Sequence, residues 1–567
     1  MTRKLDLNDI QGNVTRAYGR YSFPFARYYF FHFPNPASGR AFVDTVRTVV
    51  TTAARWPKTD QKPEDPSMVQ PKPDCTTNIA LSFTGLLALG LPVRTLQAFP
   101  DEFIEGMKAR AFILGDRDPG ETERAAEKNK WDAHWDPIWQ NNRTSSAPAD
   151  GDVHMLVTLN AQLAPDTTDK PHPALAERAE WLLAAAKKAG VRHLGGIGAK
   201  GDQDYQSASA VFENVGGVNL PTRKEHFGFT DGIGDPVFEG QLSAADEAKA
   251  VVGRGKLMGE GWQPLATGEF VLGHPDESQE LPPTAPPYEF MRNGTFVAFR
   301  KLHENVGTFD RVLKEEAKRY ANVANVSDVE AEETLRAKMC GRWSDGVPLA
   351  KVPTYQDWRA FQKQHKFDPN TPDLEAYKNH DVYVRSGEAR DFRYADDMPG
   401  YKCPSGAHIR RVNTRDYLDP LNKTGLDPET GKPHENPDAT SALNKRRRIL
   451  RRGLPYGPSN NEAKDDSTEQ GVIMLIMCAS LFRQFEFVQQ QWIQYGLDFH
   501  QGNNTCPLLG RHDRHKRHTI PENPESGKPP YVMSKLDTFV ECRGGDYFFV
   551  PSMTALRMMA MGIVDPT

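Results

Sequence analysis

Short runs of β-branched and aromatic residues, most of them followed directly by a helix-like stretch, constrain the fold of this chain more than any other feature. These runs, which are typical of strands with buried faces, lie at 26–33, 78–83, 153–159, 295–299, 472–478 and 546–550. Stretches typical of helices lie at 84–91, 173–189, 480–495 and 551–561. Strands separated by helices, without a continuous parallel series, predict an α+β fold with helices packed on antiparallel sheets.

A proline-rich stretch divides the chain into two halves. Residues 281–288, LPPTAPPY, contain four prolines and little that a core could bury, which is typical of a linker. The sequence therefore predicts an N-terminal lobe at 1–280 and a C-terminal lobe at 289–567.

Composition and charge argue against several classes of protein. A formal net charge of −5 over 567 residues provides no global basic field, so no nucleic-acid partner is expected. The six cysteines include no C-x-x-C pair, which argues against a zinc ribbon and a disulfide scaffold. The chain has neither an apolar leader nor a run of about 18–20 apolar residues, so we expect no membrane span and a cytoplasmic location.

The segment 226–240, HFGFTDGIGDPVFEG, is the most specific in the chain. Its glycines at 228, 232 and 234 make it too glycine-rich for a helix or strand, so it is predicted to be a tight loop that presents the carboxylate of Asp231. A carboxylate between glycines usually forms an Asx-turn, and on this segment alone a structural role is the more common explanation.

Two further segments present a histidine and an arginine. In CPSGAHIRRVNTRD, at 403–416, a Pro-Ser-Gly turn precedes His408 at the start of a short strand or helix, and a lone histidine there is more often structural than a ligand. In RILRRGLPYG, at 448–457, Arg451 precedes a glycine-containing turn. The run KRRRILRR, at 445–452, is also compatible with a solvated basic face or a nucleic-acid patch.

Together and in this order, the three segments resemble the signature of the dye-decolorizing peroxidase family, in its longer form without an export signal. The matching pieces are GFTDG at 228–232, GAHIR at 406–410 and RRGLPYG at 451–457. Shorter matches lie at 9–13, 268–273, 293–302, 341–349, 483–490 and 543–552. The chain departs from the family pattern in a polar insertion at 419–445 and in Thr414, where the family often has proline.

This resemblance implies two ferredoxin-like lobes that enclose one non-covalently bound haem b. It implies a haem peroxidase that reduces hydrogen peroxide and oxidises dyes, phenols or other small organic donors through a high-valent iron-oxo form. His408 is then the axial ligand of the haem iron, and Asp231 and Arg451 are the catalytic pair on the opposite face, with Gly232 and Ile233 also against the cofactor. Assembly into a homo-oligomer is compatible with the resemblance.

The chemistry of these side chains suits that reaction. Asp231 is the candidate base for moving a proton between the two peroxide oxygens, and Arg451 would stabilise the negative charge that develops on the departing oxygen. Because the expected base is a carboxylate rather than a histidine, the activity optimum is predicted to be acidic.

An acidic residue is expected to accept a hydrogen bond from the second ring nitrogen of His408. The resemblance points to Asp513, which follows PLLG at 507–510, where the family places such a partner. A surface salt bridge within 511–518 explains Asp513 equally well, and Glu486 in RQFEF at 483–487 is a rival.

A haem-binding or haem-handling protein with little peroxidase turnover is the alternative function. Such a protein needs His408 and an apolar cavity but no distal acid-base pair. The presence of Asp231 and Arg451 therefore favours the enzyme.

Overall fold

The computed structural model describes residues 5–19, 22–57, 65–116, 132–142, 148–258, 261–282, 284–367, 373–418, 442–459, 465–512 and 515–564. Its strands are β1 Phe25–His32, β2 Cys75–Leu81, β3 Met155–Ala161, β4 Arg192–Leu194, β5 Gln206–Ser209, β6 Phe212–Val215, β7 Val218–Pro221, β8 Lys256–Met258, β9 Gly261–Gln263, β10 Thr295–Glu304, β11 Leu450–Arg452, β12 Pro455–Tyr456, β13 Gly471–Cys478, β14 His518–Ile520, β15 Tyr531–Met533 and β16 Val540–Val550.

The α-helices are α1 Gly12–Thr15, α2 Pro36–Arg47, α3 Phe83–Ala88, α4 Val93–Leu96, α5 Asp101–Glu105, α6 Ala111–Leu114, α7 Pro137–Gln140, α8 Ala174–Ala189, α9 Ala244–Ala250, α10 Tyr288–Met291, α11 Val306–Ala324, α12 Asp328–Cys340, α13 Tyr355–Gln364, α14 Leu374–Arg385, α15 His408–Val412, α16 Ala442–Arg446 and α17 Met553–Met561. The predicted helix at 480–495 is instead two π-helical segments, Leu481–Glu486 and Val488–Ile493. Within the part of the chain that the structure describes, no helix has the length and hydropathy needed to cross a bilayer.

A ten-stranded sheet joins the two halves of the chain. Its order is β11-β13-β10-β16-β2-β3-β1-β4, with β12 beside β13 and β5 beside β1. The pairings within each half are antiparallel, and the halves meet where Phe549 on β16 pairs with Leu81 on β2. Helices α2, α8 and α17 contribute apolar side chains to a core on this sheet. The predicted α+β fold is confirmed.

Each of the six predicted strands is present, and β10 and β16 extend well beyond their apolar runs. Strand β10 continues to Glu304 although the predicted strand ended at 299. Its extension includes Lys301, which is fully buried because its ammonium lies 2.8 Å from a carboxylate oxygen of Asp136 and 2.5 Å from one of Glu469. A charged residue that finds such partners remains inside a sheet, and hydropathy alone does not reveal this.

Alternation along β10 and β13 positions one wall of a cavity. Val297 and Phe299 on β10 pack into a core with Ile473 and Leu475 on β13. The residues that alternate with them point to the opposite face of the sheet. Those side chains, which line the cavity, belong to Arg300, Leu302, Glu304, Val472, Met474 and Ile476. The period of two in a strand thus separates the core from the candidate site.

Candidate active site

The cavity has a volume of about 650 Å³, within the range of roughly 300–1,000 Å³ that is usual for cofactor and small-ligand sites. The sheet forms one wall, and the second π-helical segment, helix α15 and the loop between β7 and α9 form the others. Apolar lining residues include Val488, Ile493, Leu508 and Leu509. The cavity therefore has the size and the apolar surface that a flat organic cofactor needs.

Asp231 lies in a loop on the cavity wall, as predicted. Its backbone nitrogen donates to the oxygen of Arg223 at 2.8 Å, and the nitrogen of Thr230 donates to the oxygen of Ser344, also at 2.8 Å. Gly232 has a φ of 76°, a left-handed conformation that side chains with a Cβ rarely adopt, and its nitrogen donates to Asp231 Oδ1 at 2.7 Å. These bonds fix the carboxylate at the cavity surface.

Arg451 lies on β11 with its guanidinium beside that carboxylate. Its Nη2 donates to Asp231 Oδ1 in an ion pair. Asp235 holds the two segments together, since its Oδ1 accepts from the backbone nitrogen of Arg451 at 3.0 Å and its Oδ2 from Nη1 of Arg452 at 2.8 Å. Burial lowers the pKa of Arg451, but the charge and hydrogen bond of Asp231 outweigh burial and raise this pKa above its ordinary value. Arg451 is therefore a permanent cation.

His408 begins helix α15 and also lines the cavity. Its Nδ1 lies 3.3 Å from the sulfur of Cys506. Burial, with a further effect of the positive charge of Arg451, lowers the pKa of His408 to about 4. The imidazole is consequently neutral at physiological pH, which is the form that binds a metal.

Arg411 fastens helix α15 to the segment behind it. Its side chain is buried and donates to the backbone oxygens of Gly406 at 2.9 Å, Trp492 at 2.9 Å, Tyr495 at 2.8 Å and Asn504 at 3.2 Å. These four bonds set the position of His408 relative to the π-helical segment.

Replacing Arg411 by methionine should destabilise the protein by at least about 3 kcal/mol, because four buried carbonyls lose their donor and each such loss costs roughly 1–3 kcal/mol. Thermal or denaturant unfolding measures this loss. The exposed Arg311, replaced by methionine in the same way, is the control. An Arg411 variant as stable as the control would show that the four hydrogen bonds of Arg411 contribute nothing to the free energy of unfolding.

Of the two residues expected behind His408, one lies elsewhere. Glu486 accepts from Nη2 of Arg110 at 2.7 Å and from the hydroxyl of Tyr547 at 2.7 Å, and it is not a partner of His408 in the structure. The π-helical segment instead holds this carboxylate between Arg110 of the N-terminal half and Tyr547 on β16. Asp513 lies outside the described residues.

The basic run 445–452 is internal rather than a solvated face. Arg446 donates to Asp276 at 2.6 Å, the guanidinium of Arg447 lies 3.9 Å from the ring centre of Phe487, and Arg448 is buried. These side chains bind parts of this protein, so they do not support a nucleic-acid patch.

A buried cation in the cavity wall is not apparent from the sequence. Nη1 of Arg415 donates to the backbone oxygens of Arg390 at 2.9 Å and Phe392 at 3.0 Å. Its Nε and Nη2 are buried without a hydrogen-bond partner among the described residues, and so is Oδ1 of Asn413 nearby in the chain. Burial lowers the pKa of Arg415 to about 9. A buried cation with two unpaired donors fits an anionic group, and the carboxylates of haem are such groups.

A carboxyl pair in the same wall was missed as well. Glu225 accepts from the backbone nitrogens of Phe227 at 2.9 Å and Phe229 at 2.7 Å, and Glu304 accepts from that of His226 at 3.2 Å. Burial, and then the charge of Glu225, raise the pKa of Glu304 well above its ordinary value. The β10 alternation would have placed Glu304 here had the strand been predicted at its full length.

Replacing Glu304 by glutamine should stabilise the fold at neutral pH. The pKa of an unperturbed glutamate is 4.5, and the folded protein keeps Glu304 protonated to a higher pH, so the folded state binds the extra proton. The free energy of unfolding of the wild type therefore falls as the pH rises above 4.5. The fall is up to about 1.4 kcal/mol per pH unit. Glutamine removes this loss.

Thermal unfolding between about pH 4 and about pH 8 checks this result. The Tm advantage of the Glu304 variant should grow with pH, whereas the exposed Glu315, replaced by glutamine, should show no such trend. A Tm difference that is independent of pH contradicts the expectation.

Comparison with known proteins places these observations in context. No protein-family model matches the chain. The dye-decolorizing peroxidase msp1 of Mycetinis scorodonius is 26% identical over 505 residues, which cover 86% of this chain and 77% of that protein. An ancestral D-type dye-decolorizing peroxidase superposes with a TM-score of 0.67 at 22% identity, over 98% of this chain and 99% of its own. A dye-decolorizing peroxidase in complex with 2,6-dimethoxyphenol gives 0.64 at 21% identity, over 98% and 100%.

The fold and the cavity define an α+β protein with a cofactor-sized site between the sheet and the helices. Its curated relatives and structural neighbours are dye-decolorizing peroxidases. The family resemblance that the three segments carry is thereby confirmed.

Proposed function

We propose that this chain is a haem peroxidase that reduces hydrogen peroxide and oxidises dyes, phenols or other small organic donors. The observation that carries the proposal is that the Asp231–Arg451 ion pair and the neutral imidazole of His408 line the same cavity. The structural neighbour that holds 2,6-dimethoxyphenol supports phenols as donors.

The residues of the cavity fit non-covalent haem b, one per chain. His408 would hold the iron through Nε2, Gly232 and Ile233 would contact the ring beside Asp231, and Arg415 would bind a carboxylate side chain of the cofactor. Bound haem would supply the iron that accepts peroxide and transfers its oxidising power to the donor.

Asp231 and Arg451 supply the proton transfer and the electrostatic stabilisation. The carboxylate of Asp231 would take a proton from one oxygen of hydrogen peroxide and return it to the other, which leaves as water. The guanidinium of Arg451 holds the peroxide and stabilises the negative charge on the departing oxygen. Over one turnover, one hydrogen peroxide, two electrons from the donors and two protons give two water molecules.

An absorption spectrum of the purified protein tests the proposal. We expect a Soret band that shifts on addition of hydrogen peroxide and returns to its original position on addition of a reducing dye. Bleaching of the dye should accompany this return. A protein that binds haem but shows neither change would instead be the haem-handling alternative. The distal pair favours the peroxidase, because storage of haem requires no acid-base group above the iron.

Replacing Asp231 by asparagine should slow the reaction with peroxide by at least about 100-fold, because an amide cannot take up the proton and general-base catalysis typically contributes 10²–10⁴-fold. Stopped-flow spectroscopy measures the rate constant, and the Soret band of the resting protein should persist. Asp310→Asn on α11 is the control. A rate within a few-fold of the wild type would remove Asp231 from this role.

Two lesser proposals concern the organisation of the protein. We propose a lobe boundary at 281–288; it is supported by β10, the first strand of the C-terminal half of the sheet, which begins just after it. A cytoplasmic location is supported by the cysteines, all six of which are buried free thiols.

A further inference from the structure

We infer that Cys506 is the hydrogen-bond partner of His408, so that a thiol replaces the carboxylate expected behind the histidine. The inference rests on the proposed function, in which His408 holds the haem iron. Cys506 then acts as a positioning residue, because it touches the ligand rather than the cofactor.

The contact itself is specific. The sulfur of Cys506 lies 3.3 Å from Nδ1 of His408, and among the described residues no other group bonds to that imidazole. The same sulfur accepts from the backbone nitrogen of Leu509 at 3.5 Å. Cys506 has 0% exposure, so its sulfur is shielded from water.

Both partners are held by their surroundings. Helix α15, with His408 at its start, is fixed by the four bonds of Arg411 described above. On the other side, the backbone nitrogen of Cys506 donates to the backbone oxygen of Ile493 at 2.7 Å. The backbone nitrogen of Gly510 donates to the backbone oxygen of Cys506 at 2.9 Å. A Cβ on Gly510 would come within 2.4 Å of Thr505, so this turn is closely packed. The sulfur is consequently built into the site.

The contact has two physical consequences. When Nε2 holds the iron, the neutral ring carries its proton on Nδ1, so Nδ1 donates to the sulfur and the contact fixes the orientation of the ring. Sulfur is also a much weaker acceptor than a carboxylate, so it withdraws less of the Nδ1 proton and makes the imidazole a weaker electron donor. The iron of this protein should therefore have a more positive ferric/ferrous reduction potential than it would with a carboxylate in the same place.

The test uses the haem-loaded full-length protein and four variants at two positions. Cys506→Asp installs a carboxylate, Cys506→Ala removes the acceptor, Cys506→Ser keeps a short neutral one, and Asp513→Asn removes the rival acid. Cys478→Ser is the matched control, since Cys478 is a fully buried thiol that does not line the cavity. The readouts are the reduction potential from spectroelectrochemistry and the iron–histidine stretching frequency from resonance Raman spectra of the ferrous protein.

The inference predicts opposite shifts. Cys506→Asp should lower the potential and raise the stretching frequency, whereas Cys506→Ala should lower the frequency and weaken haem binding by about 10-fold, as is usual when a ligand loses its supporting partner. Cys506→Ser should lie between the alanine and aspartate variants, and Asp513→Asn and Cys478→Ser should match the wild type.

The inference is overturned if the Cys506 variants leave both readouts unchanged, or if Asp513→Asn shifts them. Should Cys506→Asp fail to fold, the comparison of serine with alanine decides alone. A wild type that binds no haem would defeat the proposed function and this inference together. A wild type that binds haem and consumes peroxide, with Cys506 variants that change neither readout, would defeat the inference only.

Discussion

Replacing His408 by alanine should leave a folded protein that no longer retains haem and has no peroxidase activity above that of free haem. His408 is the only imidazole that lines the cavity within the described residues, and its low pKa, caused by burial, keeps it in the neutral form that binds iron. In the proposed site, its loss would remove the protein's bond to the iron, which the apolar walls cannot replace. Haem content after gel filtration, measured from the Soret band, reports the result.

A matched control separates loss of the ligand from loss of the fold. His303→Ala changes a buried histidine on the face of β10 that does not line the cavity, and it should retain haem. Exogenous imidazole should restore part of the Soret band in the His408 variant but not change the control. Normal haem content in His408→Ala would mean that another residue holds the iron.

Replacing Arg451 by leucine should reduce kcat by about 10²–10³-fold while haem content stays normal. The size follows from removing one preorganised cationic donor that acts on charge developing in the transition state. The ion pair with Asp231 makes the loss larger than a packing change alone would cause, since Asp231 then lacks its counter-charge. Steady-state oxidation of a dye at saturating peroxide measures kcat.

The lysine variant at Arg451 distinguishes charge from geometry. Lysine keeps the positive charge but lacks the planar fork, so Arg451→Lys should recover part of the activity that Arg451→Leu loses. Wild-type rates in the leucine variant would overturn the role of Arg451. Equal losses in the two variants would show that the fork geometry, rather than charge, is what the reaction needs.

The strands and the three main side chains of the cavity could be predicted from the sequence. Strand runs such as 472–478 are continuous apolar segments that only a buried strand or helix explains, and β13 occupies Gly471–Cys478. The glycines around Asp231 indicated a loop, and Gly232 indeed requires the left-handed region. Asp231, His408 and Arg451 line one cavity although 220 positions separate the first from the last.

The groups that the sequence did not reveal depend on tertiary packing. Cys506 directly precedes the PLLG segment at 507–510 that directed attention to Asp513, but the sequence does not say which neighbouring side chain turns inward. Arg415 resembles any other arginine in a basic stretch until its burial shows that two donors lack partners. Glu486 was a candidate partner of His408 on the expectation of an α-helix at 480–495. The segment is π-helical instead, and Glu486 lies against Arg110.

The crystal structure of the haem-loaded protein, with the iron located by anomalous scattering at its absorption edge, tests the central claim most directly. We expect one iron in this cavity, bonded to Nε2 of His408, with Asp231 and Arg451 across the porphyrin plane. An iron bonded to a different side chain, or Asp231 and Arg451 on the same side of the plane as His408, would contradict it.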